Sequence, residues 1–163
     1  MTDTETLAYH EAGHVLIAAE YGGRTLEVSL ESDGVCLERH EAEAHVTIDW
    51  PGGRTPHADI RVALAGPVAE AIYEGHAAAT PDLLAAWQAD WAAAWAAAGR
   101  VTDDRRRRQD AVRHAAAEVD AYLRRDDVWA VVGDLADALL AHETLDEEMT
   151  ADLLGAWHAD LES

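Results

Sequence analysis

The sequence has no lysine, no phenylalanine and only one cysteine, Cys36. A single cysteine excludes an intrachain disulfide and is typical of a reducing compartment. A membrane-spanning helix needs about 20 consecutive apolar residues, and no stretch of this sequence reaches that length. Residues 1–5 are acidic and lack the apolar segment of a signal peptide. We therefore expect a cytoplasmic protein with no membrane segment.

The charge balance is strongly acidic, with a formal net charge of −20, and all 12 basic residues are arginine. Such a charge opposes binding to nucleic acid and to anionic membrane surfaces. Residues 105–108 are four consecutive arginines, which we interpret as the solvated start of a helix, paired with carboxylates of the domain or of a neighbouring subunit. The absence of lysine also excludes a Gly-x-x-x-x-Gly-Lys phosphate loop, and with it an ATPase domain of that type.

Apolar residues make up 49% of the chain, enough for one globular domain over residues 1–163. Helical spacing of these residues predicts helices at 6–21, 56–73, 81–98, 104–124, 127–142 and 145–161. Alternating residues predict a strand at 26–30, a turn at 33–34, a return strand from 35 and a strand at 45–50. The expected fold class is mainly α, an α+β domain with a small β-hairpin or sheet after the first helix.

The first predicted helix contains His10-Glu11-Ala12-Gly13-His14, an HExxH pattern. Residues four apart lie on one face of a helix, about 6 Å apart along its axis, so the two imidazoles can share one divalent ion, most often zinc. Glu11 lies at the edge of that face, where it can accept a proton from a metal-bound water without being a ligand. Because the pattern is short, chemistry alone leaves a structural role for the two histidines equally open.

Gly13 favours the metal-site interpretation. A glycine within a helix costs about 1 kcal/mol relative to alanine, so a helix keeps one where another element must pack closely. A metal site held against a second helix is one such need, and a close contact elsewhere is the alternative.

Residues 8–15 (AYHEAGHV) resemble the opening of the peptidase domain of FtsH-type zinc metalloproteases, which begins AYHEAGHA. Residues 62–70 (VALAGPVAE) are similar to that family's LAGRAAE helix, and residues 125–140 and 143–145 resemble its closing helices. The similarity spans nearly the whole chain and implies a helical, zincin-like peptidase domain. The family's ATPase domain and membrane anchor have no counterpart here.

The third metal ligand is open on chemistry alone. Asp82 follows Thr80 and Pro81 at a predicted helix start, where an acid also favours the helix dipole. The resemblance implies that Asp82 is the ligand, because the family's third ligand is an aspartate that opens this helix. The loop before it departs from the family's Thr-Gly-Ala, and His76 is the rival ligand, with Glu74 more remote.

Glu70 lies among the core-facing positions of the helix predicted at 56–73, which Pro67 should kink or split after Gly66. There Glu70 can orient a ligand histidine by accepting a hydrogen bond from its outer nitrogen, or it can simply be solvated. The strand at 45–50 is of the kind that pairs with an extended substrate. We interpret His40 and His45, in and beside that strand, as exposed structural histidines.

Trp87, Trp91 and Trp95 are spaced four residues apart along the helix predicted at 81–98. Tryptophan buries a large area, so such a row most often packs in a core. A subunit interface, and hence a homo-oligomer, is the alternative.

The expected function is that of a soluble, stand-alone zinc endopeptidase with His10, His14 and Asp82 as ligands and Glu11 as general base. Without an ATPase it would cleave peptides or unfolded proteins, or depend on a separate unfoldase. One alternative is a zinc-binding regulatory or interaction module without proteolytic activity. Another is a narrow-specificity HExxH peptidase of the ImmA/IrrE type.

Overall fold

A computed structural model describes residues 3–30 and 45–162 of the chain, with side chains up to residue 155. Helices dominate these residues, and the three strands are short. The elements are α1 (Thr4–Glu20), β1 (Arg24–Ser29), β2 (His45–Asp49), α2 (Pro56–Tyr73), α3 (Pro81–Ala85), α4 (Gln88–Gly99), α5 (Arg105–Leu123), α6 (Asp126–His142), β3 (Thr144–Asp146) and α7 (Glu147–Glu162). The mainly helical α+β class expected from the sequence is confirmed.

Helices α1 and α2 form the centre of the fold. They pack along each other, α6 covers α1, and α4 and α5 cover α2. Their closest approach is at Gly13 of α1, which faces Ala65 and Ala69 of α2, and these small residues let the two backbones come near each other. Helix α2 begins at the cap Thr55 and continues through Pro67, so the expected split after Gly66 does not occur.

The strands form an antiparallel sheet in the order β2-β1-β3. The simple alternation predicted for residues 26–30 is wrong, because a register irregularity between Thr25 and Glu27 changes which side chains face the core. Thr25, Val28 and Ser29 are buried, whereas Leu26 is exposed. The turn at 33–34 and the return strand at 35–37 lie outside the described residues.

The helix predicted at 81–98 is two helices, because the chain leaves helical geometry at Ala86 and Trp87 between α3 and α4. No glycine or proline marks this break. Near the C-terminal end, residues 144–146 form β3 against β1, and helix α7 starts after it. The side chain of Asp146 accepts from the Met149 amide at 2.9 Å, so Asp146 caps α7, which begins two residues later than the helix predicted at 145–161.

The predicted tryptophan row packs largely against the core. Trp91 and Trp95 are half-buried beside core residues, and the guanidinium of Arg108 lies 4.3 Å from the Trp95 ring centre. Arg108 also donates to the Trp95 carbonyl at 2.8 Å, so one member of the arginine run holds α5 against α4. Among the described residues, no helix is both long enough and apolar enough to cross a membrane.

Candidate metal centre

His10 and His14 lie on the buried face of α1, with only 3% and 7% of their surface exposed. They are one helical turn apart, and their Nε2 atoms approach to 3.2 Å. The ring centres are 4.8 Å apart and the ring planes are nearly perpendicular, at 75°. The HExxH spacing therefore brings both imidazoles to one point, as the sequence predicted.

Asp90, in the first turn of α4, completes the group. Its Oδ2 lies 2.9 Å from His10 Nε2 and 3.5 Å from His14 Nε2. One ligand atom from each of the three side chains falls within 4.8 Å of the other two, so the group can hold a metal ion. Asp90 is the most solvent-accessible member, with 24% of its side chain exposed.

The outer nitrogens of both imidazoles are engaged by α2. His14 Nδ1 donates to the Val62 carbonyl at 2.6 Å, and His10 Nδ1 lies 3.2 Å from Glu70 Oε2. A carbonyl oxygen can only accept, so the proton of neutral His14 sits on Nδ1 and leaves the Nε2 lone pair free. Hydrogen bonds of this kind fix the tautomer and orientation of metal-binding histidines. The orienting role predicted for Glu70 fits this contact.

Two glycines allow α1 and α2 to cross at the centre. A Cβ on Gly13 would lie 2.6 Å from the Ala65 carbonyl oxygen and 2.7 Å from the Ala69 Cβ. A Cβ on Gly66 would lie 2.6 Å from His10 Nε2 and closer still to His14 Nε2. Gly13 thus marks a close helix contact, as expected, and Gly66 leaves the space in which the two Nε2 atoms meet.

The three side chains shift one another's titration. Burial lowers the pKa of His10, but hydrogen bonds to Asp90 and Glu70 outweigh it and raise this pKa to about 9. The pKa of His14 is also raised, because the charge of Asp90 outweighs burial. Burial acts to raise the pKa of Asp90, but the two imidazoles hold it well below its usual range. The attraction between the imidazoles and the carboxylate thus favours their charged forms.

Two further side chains shape the surroundings of the group. Glu11 is buried, with 6% of its surface exposed, and its charge acts on both histidines, raising the pKa of each. The ring of Trp87 lies against His10, with ring centres 4.2 Å apart. The break between α3 and α4 places Trp87 in this position, where it shields one face of the imidazole.

Asp82 is not part of the group. It is exposed in the first turn of α3, on the far side of the helix break from Asp90. His76 and Glu74 are also elsewhere, since His76 Nε2 pairs with Glu74 Oε2 at 3.5 Å. His45 pairs with Glu27 at 2.8 Å as a surface residue, and His40 lies outside the described residues. Among the residues that the structure describes, the third side chain beside His10 and His14 is Asp90, and the Asp82 expected from the resemblance lies elsewhere.

A sequence signal for Asp90 exists, but it is weak. Asp90 shares a helical face with Ala94 and Ala97, both buried against α2. An acidic residue on the same helical face as a row of buried alanines would itself be partly buried, and a buried carboxylate requires a partner. A continuous helix over 81–98 places Asp82, and not Asp90, in its first turn. The prediction therefore did not single out Asp90.

The centre opens into a cleft of about 750 Å³ between β2 and α4. His14 and Asp90 lie in its wall, and the Glu11 carboxylate belongs to the same turn of α1. Much of the remaining lining is apolar, and comprises Val46, Ile48, Trp50, Val62, Ala63, Ala93, Ala96 and Ala97. The cleft therefore gives the candidate centre an apolar groove open to solvent.

No protein-family model matches this chain, and no curated protein is significantly similar to it.

Proposed function

We propose that this chain is a zinc-dependent endopeptidase whose centre consists of His10, His14 and Asp90, with Glu11 as general base. The observation that carries the proposal is the convergence of two Nε2 atoms and one carboxylate oxygen at the wall of a cleft. The resemblance of residues 8–15 and 62–70 to the FtsH-type peptidase domain supports it, as does the mainly helical fold. Zincin-like identity is part of the proposal.

The donor set fits zinc. Catalytic zinc sites use three protein ligands, commonly histidine and carboxylate, and keep a fourth position open. Two donors at about 2.1 Å from a tetrahedral ion are about 3.4 Å apart. The three separations in the structure, 3.2, 2.9 and 3.5 Å, bracket that value. A purely structural zinc site would be closed by a fourth protein ligand, and the described residues bring only three side chains together.

When bound, zinc supplies Lewis acidity and makes hydroxide available near neutral pH. The residues of the chain then have separate roles. Glu11 is the carboxylate beside the ligands, and it would take the proton of the attacking water and later give it to the leaving amine. Glu70 and the Val62 carbonyl keep the two imidazoles in the tautomer that binds metal.

The cleft favours an extended peptide as substrate. Val46, Thr47 and Ile48 of β2 line one side of it and the alanines of α4 line the other. β2 is an edge strand of the sheet that the described residues form. We expect cleavage of peptides and unfolded segments, with folded proteins requiring a separate unfoldase. Rapid degradation of a tightly folded protein by the purified chain alone would contradict this limit.

The decisive test is Glu11→Gln, which removes the base and leaves the ligand set intact. We expect zinc content to stay at the wild-type level, measured by plasma mass spectrometry, and hydrolysis of unfolded casein to be lost. Glu148→Gln, an exposed glutamate in the first turn of α7, is the matched control and should keep full activity. Full activity of Glu11→Gln would refute the assigned base.

The same experiment distinguishes the peptidase from a zinc-binding module without proteolytic activity. Stoichiometric zinc in the wild-type chain with no turnover of any unfolded substrate would favour a zinc-binding regulatory module. Failure to bind zinc at all would refute the metal centre itself.

A further inference from the structure

The cleft that begins at the metal centre ends at a pair of arginines. Arg54, which follows β2, and Arg100, the C-cap residue of α4, both lie in its lining. Asp59 of α2 stands between them, with Arg54 Nε 3.3 Å from Asp59 Oδ1 and Arg100 Nη2 bonded to Asp59 Oδ2. This end of the cleft therefore carries two positive charges and one negative charge in a chain whose net charge is −20.

The arginines are held in place and still accessible. Asp59 has only 14% of its side chain exposed, whereas the side chains of Arg54 and Arg100 are 56% and 51% exposed. Each guanidinium offers five N–H donors, and one carboxylate with two oxygens cannot use them all. The remaining donors are suited to a second carboxylate, because arginine binds that group through paired hydrogen bonds.

The length of the two flanking helices sets the distance from the metal centre. Asp90 opens α4 and Arg100 caps it, and a rise of 1.5 Å per residue separates them by about 15 Å. On α2, the path from Gly66 to Asp59 is about 10 Å. An extended peptide advances about 3.3 Å per residue, so the arginines lie about three to five residues from the centre.

We propose that Arg54 and Arg100 form a carboxylate subsite that selects peptides with an acidic group three to five residues from the cleavage point. This inference rests on the proposed peptidase function and names its substrate preference. The acidic group is either an Asp or Glu side chain or the carboxylate at the end of the peptide. The apolar walls of the cleft would hold the residues in between.

Peptide binding tests the subsite independently of turnover. The probes are fluorescein-labelled decapeptides of Ala, Leu and Gln with amidated ends, in which one Glu replaces Gln at each position in turn. A second set ends in a free carboxylate at successive positions. Dissociation constants are measured by fluorescence anisotropy on zinc-loaded Glu11→Gln protein, so that no peptide is consumed.

We expect Glu at one favoured position, or a free terminus there, to tighten binding about three- to tenfold over the Gln peptide. Arg54→Gln and Arg100→Gln should each reduce this preference and leave binding of the Gln peptide unchanged. Each variant leaves Asp59 one arginine partner, so the fold is expected to persist. Arg125→Gln, a surface arginine paired with Asp127, is the matched control and should retain the preference.

Three results would overturn the subsite: equal binding of all Glu and Gln peptides, a preference that survives in both variants, or no binding of any peptide. The failure of the proposed function looks different. An acidic preference in binding, with no hydrolysis by the native protein, would refute the peptidase and leave the subsite standing. Hydrolysis without any positional preference would refute the subsite and leave the peptidase standing.

Discussion

Helix α1 is held at the metal centre by close backbone packing against α2, whereas α4 contributes only the side chain of Asp90. Around His10 and His14, the glycines and alanines of α1 and α2 leave no room for a single added carbon. Around Asp90, α4 buries only Ala94, Ala97 and Ala98, and a quarter of the Asp90 side chain is open to solvent. The histidine half is therefore fixed by the core of the fold, and the carboxylate half depends on how one short helix docks.

The two halves of the centre should therefore respond differently to substitution. A change between α1 and α2 should alter the fold and the metal site together, because the same atoms serve both. A change on α4 should alter metal binding and leave the core in place.

Gly66→Ala should have the largest effect. The added carbon would fall within 2.6 Å of His10 Nε2 and nearer to His14 Nε2, so the imidazoles must move apart or the helices must separate. We expect zinc binding to be lost and the free energy of unfolding to fall by about 1–3 kcal/mol. Isothermal titration calorimetry and urea unfolding measure the two effects.

Gly133→Ala is the matched control for that change. Gly133 is also inside a helix, and its added carbon would meet only the Tyr9 hydroxyl, at 3.9 Å. Zinc affinity should be unchanged and stability should rise by up to about 1 kcal/mol. Normal zinc binding by Gly66→Ala would contradict the packing argument.

Asp90→Asn should come next, with a loss of zinc affinity of about 100-fold or more, since it removes a charged ligand. Asp82→Asn is the direct comparison, and should leave zinc affinity unchanged because Asp82 is exposed on α3. Competition with a chromophoric chelator measures both constants. Reversed effects would restore Asp82 as the ligand and mean that α4 docks differently in the metal-loaded protein.

These two aspartates also show how far the sequence can be interpreted. The HExxH pattern, the glycine within it and helix α2 with Glu70 were all predictable, because local spacing and a helix's own periodicity determine them. The resemblance implied that the third ligand opens a helix. Asp90 does open one, but it opens α4, and the break at Ala86 and Trp87 carries no glycine or proline to mark it.

The sheet shows the same limit. The positions of β1 and β2 follow from apolar alternation, yet the irregularity at Thr25 and Glu27 depends on pairing with another strand. Residues 145 and 146 of β3 were predicted as the start of the last helix, because they acquire strand geometry only by pairing with β1. Features set by contacts between distant segments are those that local patterns could not predict.

Glu70→Gln should have a smaller effect than loss of a ligand. It keeps an oxygen near His10 Nδ1 but removes the charge that favours a metal-bound imidazole. We expect zinc affinity to fall about tenfold, at the lower end of what such partners contribute. Glu148→Gln, an exposed glutamate in the first turn of α7, is the matched control and should change nothing. Equal affinities for both variants would mean that Glu70 does not support the histidine.

The pH dependence of zinc binding connects the two halves of the centre. The pKa of His10 is raised to about 9, above its unfolded value near 6.5, because bonds to Asp90 and Glu70 outweigh burial. The metal-free protein therefore gains stability from this proton below pH 6.5, and loses that gain as pH rises through 9. Zinc must displace the proton, so at pH 7.5 binding should release about one proton per ion, and affinity should rise about tenfold per pH unit up to 9. Calorimetry in buffers of different ionisation enthalpy counts the protons.

In Asp90→Asn the release of protons at pH 7.5 should fall, because the strongest partner of the His10 proton is gone. Equal proton release by the variant and the wild type would show that the α4 carboxylate does not control the charge of the α1 histidines.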